Sequence, residues 1–266
     1  MKNFAHERPG TGTKEWADYS YNICTGCAHD CLYCYAKGLA RRVRPEMRIP
    51  GGWARQRQNP NRAALGAEVG AKGVVMFPTS HDLTPDFLPP ALTTIKNLLR
   101  RNQVLIVSKP HVPVVRELCR ELRGHEQDLL FRFTIGALDR RLCAFWEPGA
   151  PPPQERLRAL QLAHAEGFQT SVSIEPMLDC RERTCELVAR LEPWVTDTLW
   201  IGKMQRIPRK ANAHIPDFEA AVARLQAQQT DAEILRLVAA LADHPKVRWK
   251  DSIKAVLARP PAAGRT

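Results

Sequence analysis

The 266-residue sequence predicts an α/β protein, a partial TIM-like barrel of six βα units with a C-terminal helical extension. Two observations lead to that class. Short apolar, β-rich runs alternate with amphipathic stretches, and the connections between runs are long enough for helical crossovers, the arrangement parallel strands require. The composition agrees, since 44% hydrophobic and 25% charged residues are ordinary globular values that exclude a disordered, collagen-like or coiled-coil chain.

Residues 1–18 read as a lead-in. The first ten carry polar groups where a secretory leader needs an apolar stretch, and no run approaches the ~20 apolar residues of a membrane span, so a cytoplasmic protein without membrane contact is expected. Residues 19–205 read as the barrel, with strands at 19–23, 74–77, 104–109, 129–135, 168–174 and 198–201. Helical patterns at 91–101, 112–122, 154–166 and 183–191 separate them, and Gly124 and Gly167 stand where helices would stop. On the fifth strand the alternation puts Ser171, Ser173 and Glu175 on the face that looks into the lumen. Residues 51–61, with Gly-Gly, Asn-Pro and several arginines, read as an irregular insertion at the barrel mouth. Residues 206–266 read as the extension, with helical segments at 217–228, 231–241 and 247–257 and a Pro-rich tail.

Four of the eight cysteines fall between Cys24 and Cys34, which points to metal rather than disulfides. A structural zinc site usually separates its two ligand pairs by ~12 or more residues, and three residues between the pairs are too few. The ferredoxin run with a trailing Cys-Pro also fails, because Tyr35 follows Cys34. What is left is the triad Cys27-x3-Cys31-x2-Cys34 with an aromatic before the last cysteine, able to hold three irons of a cubane and leave the fourth open. A zinc-dependent nucleic-acid-binding module without catalysis is the competing reading.

The segment Gly26 to Tyr35 carries the signature of the radical S-adenosylmethionine (SAM) enzymes. Together with Val107 to Pro110, Phe131-Arg132-Phe133-Thr134 and Glu147-Pro148-Gly149, it resembles the spore photoproduct lyase family in order over most of residues 20–205. The resemblance implies the barrel of that superfamily, with a 4Fe-4S cluster on Cys27, Cys31 and Cys34 and SAM as cofactors. It further implies reductive cleavage of SAM to a 5′-deoxyadenosyl radical for hydrogen abstraction, and an electron donor of flavodoxin or ferredoxin type. Carried over by motif, Tyr33 would pack near the adenine, Ser80 would bond the methionyl part, Lys109 would pair with its carboxylate, and Thr134 would contact the cofactor. Where the lyase has a hydrogen-donating cysteine before its Thr-Ser, this chain has Pro78, so repair by that route is not expected.

Tyr35 matches the family turn and is a candidate hydrogen relay, with a packed aromatic as the alternative. Glu175 is a candidate catalytic or substrate-holding group, or else a partner of Arg132; Asp82 is a second-loop candidate, or else a helix cap. Cys24, Cys119 and Cys143 read as core, Cys180 and Cys185 as too few for a second metal site, and His29 as a loop residue. The formal charge of +11 suggests a polyanionic partner. Arg41, Arg42, Arg44, Arg55, Arg57 and Arg62 around Trp53 would suit nucleic acid, with Trp53 as a stacking platform, which makes a nucleic-acid repair or modification enzyme the runner-up reading, and a solvated face is the alternative.

Overall fold

The computed structural model describes residues 4, 8, 10–59, 72–205, 207, 209–212 and 214–259. Arg62, the last two residues of the 51–61 insertion and the Pro-rich tail lie outside the described residues. The chain first runs through β1 (Tyr19–Ser20), β2 (Cys24–Thr25), α1 (Tyr35–Val43) and β3 (Arg57–Gln58). The βα repeat follows: β4 (Val74–Phe77), α2 (Leu88–Leu99), β5 (Gln103–Ser108), α3 (Val112–Glu121), β6 (Leu129–Thr134), α4 (Arg140–Trp146), α5 (Pro153–Ala165), β7 (Gln169–Ile174), α6 (Arg181–Leu191) and β8 (Leu199–Ile201). Then come α7 (Arg209–Asn212), α8 (Phe218–Gln228), α9 (Asp231–Ala240), β9 (Val247–Trp249) and α10 (Asp251–Leu257).

The main sheet is parallel throughout, in the order β1-β4-β5-β6-β7-β8-β9, a partial barrel as expected. β2 and β3 form a separate antiparallel ribbon that pairs Cys24 with Gln58. The sheet has seven strands instead of six, and the added one comes from the stretch read as helical at 247–257. Val-Arg-Trp leads that stretch, and three residues are too short for periodicity to separate strand from helix. The backbone of β8 settles the choice: Leu199 N bonds Lys246 O and Lys250 N bonds Ile201 O, so β9 extends the sheet and only Asp251–Leu257 is helical.

Strands β4 and β6 are buried at every residue, as parallel strands covered on both faces must be. Val75, Phe77, Val104, Ile106, Leu129, Phe131, Val172 and Ile174 pack outward into the main core with Val114, Val115 and Leu118 of α3 and Ala159, Leu160 and Ala163 of α5. α5 ends in a Schellman motif: Gly167 takes φ +82°, its N–H bonds His164 O, and Phe168 N bonds Ala163 O. That turn aims Phe168 edge-on at Phe131, with centroids 5.4 Å apart. On the other side of the sheet Val74, Met76, Leu105 and Leu130 pack with Trp16, Ala17 and Trp200. The lead-in therefore closes one end of the barrel, and the space at the strands' C-terminal ends stays open.

Candidate active site

The turn holding the cysteines is fixed from three sides. Gly26 sits at φ +84°, and a Cβ there would come 2.6 Å from Trp53 O, the carbonyl that accepts from Cys27 N. Gly149 lets the other wall approach: its N–H donates to His29 O, and an added Cβ would lie 2.2 Å from Ala28 O. Leu32 N bonds Trp146 O, and Lys37 N, in the first turn of α1, donates to Cys34 Sγ at 3.4 Å.

Cys27, Cys31 and Cys34 all face one cavity of about 540 Å³ at the C-terminal ends of the strands, a size typical of small-ligand sites. Tyr33, Tyr35, Ser80, Lys109, Thr134 and Glu175 line the same cavity, so the residues given cluster, cofactor or catalytic roles meet there, with Asp82, Pro78 and Ser173 beside them, while Arg41, Arg42, Arg44, Arg55 and Arg57 lie outside the lining. Cys24 is buried in the core outside the lining. Cys119 and Cys143 are buried on α3 and α4, and Cys180 and Cys185 belong to no three-donor group among the described residues. Burial pushes the Cys31 thiol up to about 12 and drives Cys27 and Cys34 upward as well. Three soft donors, two of them buried and all costly to ionise alone, fit a cationic iron centre that would hold them as thiolates.

Asp82 caps no helix. Its Oδ1 accepts from Ser108 Oγ (2.9 Å) and Lys109 N (2.6 Å), while Oδ2 faces His29 Nδ1 (2.9 Å) and Lys109 Nζ (3.5 Å). Burial works against its ionisation, but the Lys109 and His29 contacts outweigh it and hold the carboxyl well below the usual range. Burial likewise opposes the Lys109 ammonium, and Asp82 more than reverses this. The network points one fixed cation at the cysteine end of the cavity. His29 is buried, and its other ring nitrogen lies 3.0 Å from His111 Nε2.

Tyr33 is oriented from behind. Its hydroxyl donates to Glu147 Oε1, whose other oxygen lies 2.5 Å from Arg156 of α5, with Glu147 and Arg156 both fully buried. Arg156 also donates to Pro151 O and Thr134 O. Asn22 Oδ1 accepts from the N–H groups of Thr79 and Ser80, and Tyr35 donates from its hydroxyl to Thr79 O at 2.9 Å.

Glu175 forms the opposite pole, and its charged partner is Lys250 in place of Arg132, the alternative partner considered from the sequence. Lys250, just after β9, reaches Glu175 Oε2 at 3.7 Å, bonds Gly12 O at 2.8 Å, pairs with Glu15 and lies 4.1 Å from the Trp16 ring centroid. Gly202 makes room, since a Cβ there would press on both Glu175 and Lys250 at 3.0 Å. Arg132 instead bonds Ser171 Oγ and pairs with Asp197 below the cavity floor. Desolvation raises the Glu175 carboxyl to about 7 against the pull of Lys250. Trp53 is also not where a stacking platform must be: it is 4% exposed, packed with Cys27, Ala36 and Met47.

Sequence reasoning missed Arg156, Lys250 and Trp16. Each lies in an amphipathic or short segment with no local signal, and only the crossovers bring them to the site. Among the described residues no helix is long and apolar enough to cross a membrane.

Comparisons with known proteins agree with this geometry. A profile of the Radical SAM superfamily matches residues 21–187. The uncharacterized protein ORF301 of Acidianus two-tailed virus is 25% identical over 181 residues, 64% of this chain and 60% of that protein. The chain thus spans about 60% of the length of this curated relative. A cysteine-to-serine mutant of spore photoproduct lyase superposes with a TM-score of 0.59 at 16% identity, covering 92% of this chain and 79% of that one. A double mutant of the lyase with bound AdoMet and dinucleoside spore photoproduct gives 0.56 at 14% identity, covering 94% and 80%. At such identities these structures share the fold. With the profile spanning most of the chain and the cysteine triad at the barrel mouth, the protein belongs to the radical SAM superfamily, whose cofactors are a 4Fe-4S cluster and SAM.

Proposed function

We propose that this radical SAM enzyme cleaves SAM reductively in the cavity and uses the 5′-deoxyadenosyl radical to abstract hydrogen from a substrate entering on the Glu175 side. The observation that carries the reading is the convergence of Cys27, Cys31 and Cys34 with Ser80, Lys109 and Thr134 on a single cavity. When bound, the cluster and SAM supply a one-electron cleavage of SAM to methionine and the radical.

The chain's own residues bind and orient. Cys27, Cys31 and Cys34 would hold the cluster. Lys109, held by Asp82, presents an ammonium to the SAM carboxylate, and Ser80 offers a hydroxyl to the methionyl group. Tyr33, fixed by Glu147, and Thr134 form the wall for the nucleoside part. Buried apolar walls at Met76 and Trp53 keep water from a reactive carbon. Glu175 would contact substrate or ribose, and Tyr35, anchored on Thr79 O, would relay a hydrogen atom.

Pro78 lines the cavity where a thiol donor would be needed, so the protein should leave dithymine spore photoproduct unrepaired. The charge of +11 supports nucleic acid as substrate class, and steeply salt-sensitive binding would follow from it. The test is anaerobic reconstitution. A brown protein with about four irons that releases 5′-deoxyadenosine under dithionite supports the reading, and a colourless protein with one zinc overturns it. Deuterium transfer into 5′-deoxyadenosine from labelled candidate substrates then identifies the substrate.

A further inference from the structure

The helix that leaves the cysteine turn carries an apolar stripe that nothing among the described residues covers. Tyr35, Leu39 and Val43 follow one another at four-residue spacing on one face of α1 and are 52%, 54% and 76% exposed. Ile49, in the turn beyond, is 48% exposed. Single exposed apolar residues are ordinary on a protein surface, whereas a contiguous set marks a contact site.

The charge around the stripe is mostly positive, with Glu46 exposed between Arg44 and Arg48. Arg42, Arg44, Arg48, Arg55 and Arg57 are exposed, and among the described residues none of them pairs with a carboxylate. Arg44 donates to Thr25 Oγ1, and Arg48 to the carbonyls of Arg41 and Arg42. Some exposed arginines elsewhere are paired, as Arg120 is with Glu117, Arg183 with Glu186 and Arg236 with Glu233, whereas others such as Arg100, Arg101 and Arg116 are not among the described residues, so what sets this face apart is its arginines beside an apolar stripe. The face is thus apolar and net positive.

We propose that the α1 face docks an acidic protein that delivers single electrons to the cluster, an inference that rests on the function proposed above. Charge complementarity selects an acidic partner. The aliphatic stripe favours protein over nucleic acid, which would be met by phosphate contacts and stacking aromatics, and Trp53 is buried out of reach. Position gives the role. Cys34 caps α1 and accepts from Lys37 N, so the helix touches a cluster sulfur directly. Val43, nine residues beyond Cys34, lies about 13 Å along the axis, so a partner covering the stripe sits beside the cysteine turn. The step balances simply: the donor's redox group is oxidised by one electron, the cluster is reduced by one, and no bond or proton moves.

The experiment uses an acidic flavodoxin as probe with the cluster-loaded protein and two double variants, Leu39→Glu with Val43→Glu and Arg42→Glu with Arg57→Glu. Binding of oxidised flavodoxin is measured by calorimetry at low and high salt, and 5′-deoxyadenosine release is followed with flavodoxin hydroquinone or dithionite as reductant. We expect both variants to lose at least about ten-fold in flavodoxin affinity and flavodoxin-driven rate, salt to weaken the parent's binding, and dithionite-driven release to stay within about two-fold. Unchanged flavodoxin affinity overturns the proposal. An equal loss under dithionite overturns it too, because the face would then be structural, as does loss of binding to a short DNA duplex with flavodoxin coupling intact. Iron content and dithionite-driven release by the parent report separately on the proposed function.

Discussion

Glu175→Gln should stabilise the protein above neutral pH and leave it unchanged in acid. The folded carboxyl titrates near 7 against an ordinary 4.5, because burial at the cavity wall outweighs attraction to Lys250. Between about pH 4.5 and 7 the folded state holds a proton that the unfolded chain has released, so stability falls as pH rises through that window. At about 1.4 kcal/mol per pH unit the difference amounts to about 3.5 kcal/mol as a ceiling. The side chain is 28% exposed, and solvent screening reduces the expected effect to about 1–2 kcal/mol. Gln keeps the shape without the charge, and Lys250 retains Glu15 and Gly12 O. Urea unfolding followed by tryptophan fluorescence, at matched iron content, should show the variant equal to the parent at pH 4.5 and more stable at pH 8, where thermal unfolding should give a melting temperature higher by roughly 2–6 °C. Equal stability at pH 8, or a gain independent of pH, would refute the argument. A carboxylate kept at such a cost beside the cavity suits a functional group, so the stabilised variant should also lose activity.

Alanine in place of Cys27, Cys31 or Cys34 should each abolish iron loading and the absorption near ~400 nm, while Cys24→Ala, outside the cavity lining, should retain both. Lys109→Ala should load iron normally but bind SAM at least about ten-fold more weakly by calorimetry, through loss of a charge-assisted bond in a dry site; unchanged affinity would make Lys109 structural. Gly149→Ala should drive a methyl into Ala28 O and displace the cysteine turn, lowering stability by about 1–3 kcal/mol and reducing iron content, as read by denaturation and metal analysis. Loaded protein incubated with dinucleoside spore photoproduct should release 5′-deoxyadenosine without yielding thymines, since Pro78 has no labile hydrogen, and chromatography of the products tests this.

The amino-acid order alone determined the superfamily, the βα repeat and the placing of the three triad cysteines in one turn. These rest on local spacing: three cysteines within eight residues share one turn wherever it sits, and apolar runs too long to be solvated must become buried strands. It also put Ser173 and Glu175 on the lumen face, because strand alternation has a period of two. Only the tertiary structure decided the partners of the charged groups. Arg132 could as readily have met Glu175 as Asp197 until the register of β6, β7 and β8 was set, and Lys250 reached Glu175 only because β8 offered its free edge to residues 247–249. Trp53 was legible as an aromatic among arginines, yet its burial against Cys27 and Met47 follows from the fold of the insertion. Charge pairing and burial depend on which distant segments the sheet brings within a few ångströms, and sequence spacing carries no information about that distance.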